Sequence, residues 1–198
     1  MRVFIEERDY SLFLGLLDET VQEFDIECWG FCLMPNHYHL TLRPSLPNLP
    51  EAIHKLNGEF AQSWNRRHEH VGHVFQGRFK DQIVQEDPYL LTLCRYIALN
   101  PVRTGLTASP EEWLWSSYAA IAGLRPAPAF LAIDRTLRLF GDDEPTVLQS
   151  RYVRYVGRPD GEAALEDRIR SNARIVGDRT FRAALLEEPG PDPDLSRA

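Results

Sequence analysis

At 198 residues the chain has room for one sizeable domain, or a domain with an appendage. Its 43% hydrophobic and 26% charged residues are an ordinary globular mix, and no apolar run approaches the roughly 20 residues of a membrane span. A net charge of −7 argues against a generally basic nucleic-acid binder, and three scattered cysteines (Cys28, Cys32, Cys94) argue against a disulfide framework.

The first residues, MRVFIEERDY, lack the basic and apolar regions of a signal peptide, so a cytoplasmic protein with no membrane association is expected. Phe13, Leu14, Leu17, Val21 and Phe24 recur at helical spacing and predict a helix over 9–24. Residues 26–33 are apolar without helical period. After Met34-Pro35-Asn36, residues 37–43 alternate, which predicts a β-hairpin. On such a strand Cys28 and Cys32 stand about 13 Å apart, too far to share a metal ion.

PSLPNLP is a loop. From Glu51 the set Ile53, Leu56, Phe60, Trp64 predicts an amphipathic helix to about Arg67. GHVFQGRFKDQIVQ reads as a strand with glycine bends. Asp87-Pro88 starts a further helix as N-cap and first residue, and Pro101 stops it near Asn100. Another short helical region follows Ser109-Pro110. The rest reads as short helices between Pro/Gly loops, with a disordered tail, EEPGPDPDLSRA. The expected fold class is α+β: an antiparallel sheet of few strands, helices on one face, and a helical C-terminal extension.

Charge is uneven along the chain. Residues 1–50 carry three basic and eight acidic side chains, whereas residues 52–80 carry five basic (Lys55, Arg66, Arg67, Arg78, Lys80) and two acidic. A local basic patch and a solvated helix end both fit that run.

Two groups carry chemistry. His37 and His39 sit at i and i+2 on the second strand, so both imidazoles leave one face with Cβ atoms about 6.6 Å apart. That suits two nitrogens converging on one divalent ion, and equally a pair of surface or hydrogen-bonded histidines. In LTLCRYIALNPVRTGL, Thr92, Tyr96 and Asn100 fall at i, i+4 and i+8 and form one polar stripe, each step rising about 6 Å. A tyrosine with an amide one turn later can be a nucleophile beside a metal ligand, or an ordinary half-buried tyrosine and a helix-ending asparagine.

Together CLMPNHYHLTLRP, GHVFQGRFKDQIVQEDPYLLTLCRYIALNPVRTGL and PEEWLWSSY resemble the single-tyrosine HUH transposases, and most closely the REP-associated tyrosine transposases (RAYT). The three motifs occur in the family's order and cover roughly Val3 to Leu124. The resemblance implies an HUH (ferredoxin-like) transposase domain over 1–124, a helical extension over 125–186, and a tail over 187–198.

By that resemblance His37-Tyr38-His39 is the HUH motif, Tyr96 the nucleophile, and Asn100 the third metal ligand. Mg²⁺ or Mn²⁺ is the implied cofactor, and single-stranded or hairpin DNA the implied partner. Arg66, Arg67, Arg78, Lys80 and Arg103 are candidates for phosphates. Trp64, Phe75, Trp113 and Trp115 are candidates for base stacking, although Trp64 also continues an apolar helix face.

One tyrosine gives one covalent end per site, so strand transfer needs paired sites, as in a homodimer, or sequential steps. Relatives usually begin with a further strand of the type YHVT-RG, which this chain lacks before its first helix. A catalytically inactive relative that only binds nucleic acid is therefore the second expectation, and a water-using metal phosphodiesterase the third.

Overall fold

A computed structural model describes residues 2–77, 79–85, 89–158, 175–176 and 178–182. The chain divides into two units, Met1–Phe79 with Cys94–Pro159, and Lys80–Leu93 with Asp160–Ala198.

In the first unit the amphipathic stripes behave as their spacing dictates. Helix α1 (Glu7–Glu23) buries Phe13, Leu17 and Val21, while Leu14 and Phe24 are half-buried. Helix α2 (Leu49–Arg67) buries Ile53, Leu56, Phe60 and Trp64. Between them β1 (Ile26–Met34) and β2 (His37–Pro44) form the expected antiparallel hairpin. A bulge at Trp29, between the pairs Cys28–Leu42 and Gly30–Thr41, shifts the register once.

Phe4, Phe13 and Phe60 lie with ring centroids 5.4–5.5 Å apart and seal the two helices onto one face of the hairpin. Such aromatic pairs contribute roughly 0.5–1.5 kcal/mol each beyond their buried area. The N-terminal segment joins this layer, because the Val3 and Phe4 amides donate to the Pro35 carbonyl at 2.8 and 3.0 Å.

Alternation along β2 decides what each face holds. Tyr38 points at α1, its ring 4.7 Å from Phe13, and its hydroxyl donates to Asn57 Oδ1 of α2 at 2.9 Å. His39 and Thr41 point the other way, toward the 94–103 part of α3 (Tyr89–Arg103). The helices α1 and α2 thus cover one face as expected, and α3 adds a layer on the other. Among the described residues β2 pairs with β1 alone; the far edge of β1 is bridged at Cys32–Ser116 and Cys28–Leu131.

Helices α4 (Tyr118–Ile121), α5 (Ile133–Arg138) and α6 (Pro145–Val156) pack in the same unit. Thr136 Oγ1 donates to the Trp29 carbonyl at 2.6 Å, and Tyr152 packs on Tyr118 with centroids 5.5 Å apart. These helices, the expected helical extension, pack through α5 on β1 and through α6 on α5. The second unit holds β3 (Ile83–Val84) in parallel pairing with β4 (Ile175–Val176). There Gln85 and Asp178 exchange hydrogen bonds at 3.0 and 2.8 Å.

Two expected elements differ. None of the described residues between 72 and 82 is in a strand, and only Ile83–Val84 pairs. Val74 and Phe75 there are anchors: Val74 is fully buried and Phe75 packs on Tyr38 and Phe60, with Gly72 at φ 126° making the turn. Helix α3 runs through Pro101 to Arg103 instead of stopping at Asn100. A proline in the last turn forfeits one amide donor, and the end is closed by Thr104 and Leu106 amides on the Asn100 and Pro101 carbonyls at 3.1 and 2.9 Å. The short helical region expected after Ser109 is present as a 3₁₀ turn (Pro110–Glu112) followed by the four-residue α4. Asp87, Pro88, Arg78 and the 187–198 tail lie outside the described residues.

Candidate active site

The hairpin turn sets the first imidazole. Asn36 Oδ1 lies 2.7 Å from His37 Nδ1, and an amide oxygen can only accept. The Nδ1 proton is therefore committed, which leaves the Nε2 lone pair of His37 facing outward along the ring axis. His39, two residues on, presents its own Nε2 3.0 Å from that of His37, with the rings at 90°.

Burial holds His37 below the usual histidine range. It pushes His39 down to about 4, with the neighbouring His37 adding to the effect. Both rings are neutral at pH 7, so both can offer a lone pair. Two nitrogens about 2.1 Å from one ion and at right angles around it stand about 3 Å apart, which is the separation found here.

Tyr96 comes from α3, whose Cys94, Ile97 and Ala98 are buried and fix the helix's rotation. Its ring meets His39 edge-on with centroids 5.7 Å apart. Asn100, one turn later and 6% exposed, donates through Nδ2 to the Tyr96 carbonyl at 3.3 Å. That bond assigns the amide and leaves Oδ1 as the end that can accept a cation. Among the described residues no three His, Cys, Asp or Glu side chains converge. Two neutral imidazole nitrogens at this spacing, and an amide oxygen such as that of Asn100, are donors of a kind that suits a divalent cation.

The phosphate candidates separate. Arg66 is exposed on the last turn of α2. Arg67 forms an ion pair with Asp9, a fully buried carboxylate that also accepts His68 Nε2 at 3.0 Å and the Ile5 and Glu6 amides at 2.8 and 2.9 Å. Arg67 thereby ties α2 to the start of α1. Lys80 is exposed in the second unit, and Arg78 lies outside the described residues. Arg103 stacks on Tyr96, its guanidinium carbon 5.1 Å from the ring centroid.

The stacking candidates are packed within the protein. Trp64 is buried against His68. Trp115 stacks on Tyr10 at 4.5 Å, and Trp113 Nε1 donates to the Leu33 carbonyl at 3.0 Å.

Sequence reasoning missed the Arg103–Tyr96 contact. Its signal was present, since positions seven apart are two turns apart on one helix face. The supposed stop at Pro101 hid it.

The family model for IS200-like transposases matches residues 2–100, half of the chain. The chain is also 25% identical over 119 residues to a "Putative REP-associated tyrosine transposase" of Haemophilus influenzae; the match covers 54% of this chain and 66% of that protein, a little under two thirds of its length. No solved structure matches the chain. The family-model match spans both the histidine strand and the Tyr96–Asn100 helix, and the chain belongs to the IS200-like transposase family.

Proposed function

We propose that the chain cleaves and rejoins single-stranded DNA through a covalent phosphotyrosine at Tyr96. The observation that carries this reading is the convergence of His37 and His39 Nε2 at 3.0 Å with the Tyr96 ring packed on His39. Tyr96 Oη attacks the scissile phosphorus, forming the Oη–P bond as the P–O3′ bond breaks. The phenol proton passes to solvent, and the departing O3′ takes up a proton to become a free 3′-OH. The DNA 5′ end is left on the tyrosine. Because the phosphotyrosine keeps a diester's energy, attack by a second 3′-OH reverses the step without ATP.

His37, His39 and Asn100 would hold Mg²⁺ or Mn²⁺, which would supply polarisation of the phosphate and offset its developing charge; nitrogen donors favour Mn²⁺ in vitro. Asn36 keeps the His37 lone pair presented, the Asn100 amide nitrogen is engaged by the Tyr96 carbonyl, and burial keeps the His39 ring unprotonated. Exposed Arg66 is suited to backbone phosphates.

Incubation of the protein with labelled hairpin oligonucleotides and Mn²⁺ or Mg²⁺ tests this on a denaturing gel. An adduct that Tyr96→Phe removes while DNA binding persists is expected. Cleavage surviving Tyr96→Phe contradicts it in favour of attack by water, and binding with no cleavage by the intact protein favours a binding-only relative.

A further inference from the structure

The geometry points to Arg103 as a positioning residue for the Tyr96 phenol rather than a contact to DNA phosphates, an inference that rests on Tyr96 being the nucleophile. Three observations carry it. The guanidinium carbon sits 5.1 Å from the Tyr96 ring centroid, within the range where a cation is held by an aromatic face. The same guanidinium reaches back to the Tyr96 main chain, with Nη1 3.5 Å from its carbonyl oxygen. Arg103 also stands on regular helix two turns beyond Tyr96, because α3 continues through Pro101.

The end of that helix is fastened, not frayed. Thr104 Oγ1 donates to the Asn100 and Pro101 carbonyls at 3.0 and 3.2 Å, and the Gly105 amide donates to the Val102 carbonyl at 3.0 Å. Arg103 is thus delivered to the ring from a fixed backbone. The Tyr96 ring then has a perpendicular imidazole from β2 and a cation from its own helix as neighbours, while the Asn100 amide donates to the Tyr96 carbonyl.

A nucleophile attacking in line needs its oxygen held to a fraction of an ångström, and a displacement of about 1 Å costs on the order of a hundredfold in rate. A tyrosine on a half-exposed helix face has two free side-chain torsions to set. The Arg103 contact restricts both without touching the substrate.

The test compares wild type with Arg103→Met, which keeps the aliphatic stem, and Arg103→Lys, which keeps the charge. Positioning predicts that the rate of adduct formation at saturating hairpin DNA falls about tenfold or more in Arg103→Met. Binding of the same DNA in a Tyr96→Phe background should stay within about twofold, and Arg103→Lys should recover part of the rate. A weaker binding constant with an unchanged saturating rate, and a salt dependence reduced by about one phosphate contact, would overturn the proposal in favour of a phosphate ligand. Unchanged rate and binding would overturn it as well.

A second readout needs no turnover. In protein labelled with 3-fluorotyrosine and free of DNA, the Tyr96 fluorine resonance, assigned by its loss in Tyr96→Phe, should shift or broaden in Arg103→Met. If it does not move, the contact does not orient the ring. If wild type forms no adduct at all, the nucleophile assignment fails, while the fluorine signal still decides whether Arg103 holds the phenol.

Discussion

His37 and His39 meet nitrogen to nitrogen at 3.0 Å, and they do so because Asn36 takes up the other ring nitrogen of His37. Left to themselves, two neutral imidazoles in that arrangement share one proton; with a cation between them both lone pairs are used. Removing either ring should therefore abolish chelation rather than halve it. Mn²⁺ binding, followed by titration calorimetry or electron paramagnetic resonance, is expected to weaken at least about tenfold in His37→Ala and in His39→Ala. Equal affinity in wild type and both variants would contradict a metal site at this pair.

Acid should unfold the metal-free protein in part through His39. Burial and His37 hold its folded pKa at about 4, against an ordinary value of 6.5. Below about pH 6.5 the unfolded chain takes up a proton that the native ring refuses, so the stabilisation is fully present above that pH and is lost as pH falls toward 4. His37, lowered by burial, contributes in the same direction. Denaturant unfolding of metal-free wild type and His39→Gln between about pH 7.5 and 4.5 reads this out. The wild type should lose more stability over that range; parallel losses would contradict the account.

Tyr38 is a core residue despite standing between two site histidines. Burial pushes its hydroxyl up to about 12, and the hydroxyl donates to Asn57 Oδ1 at 2.9 Å. Tyr38→Phe removes that bond and keeps the packing on Phe13, costing about 1 kcal/mol. Tyr38→Ala also opens a cavity between α1, α2 and β2, costing about 3–5 kcal/mol. Thermal or denaturant unfolding of the two variants should show that order.

Asp9 gathers four donors while fully buried. Asp9→Ala leaves two amides and two cationic or polar side chains without their acceptor. Arg67 is 28% exposed and recovers some hydration, so the loss is expected to be about 2–3 kcal/mol, below the figure for a wholly buried pair. Arg67→Ala should likewise lower stability. If it instead weakens DNA binding with no change in unfolding, the structural assignment of Arg67 is wrong.

Much of the candidate site's geometry was legible because its signals are local. His37 and His39 share a face by strand alternation, and Tyr96 and Asn100 by helical spacing; neither needs knowledge of the rest of the fold. The hairpin and the stripes of α1 and α2 were legible for the same reason. What was not legible depends on packing between remote segments. Val74 and Phe75 look like strand residues until α2 and Tyr38 are seen to bury them. Arg67 looks like a free cation until Asp9, distant in sequence, is brought beneath it. Pro101 reads as a stop until Thr104 and Leu106 are seen to close the end, which makes one missing amide in a final turn cheap. With the helix continued, Arg103 stands on the Tyr96 face of α3.

The most direct measurement digests the protein–DNA product with nuclease and trypsin and locates the attached nucleotide by mass spectrometry. Cleavage after Arg95 and Arg103 isolates the peptide Tyr96–Arg103, which contains a single tyrosine. A nucleotide phosphate on that peptide, absent when metal is withheld, is the expected result. A nucleotide carried by any other peptide, or cleaved DNA with no modified peptide, would contradict the account.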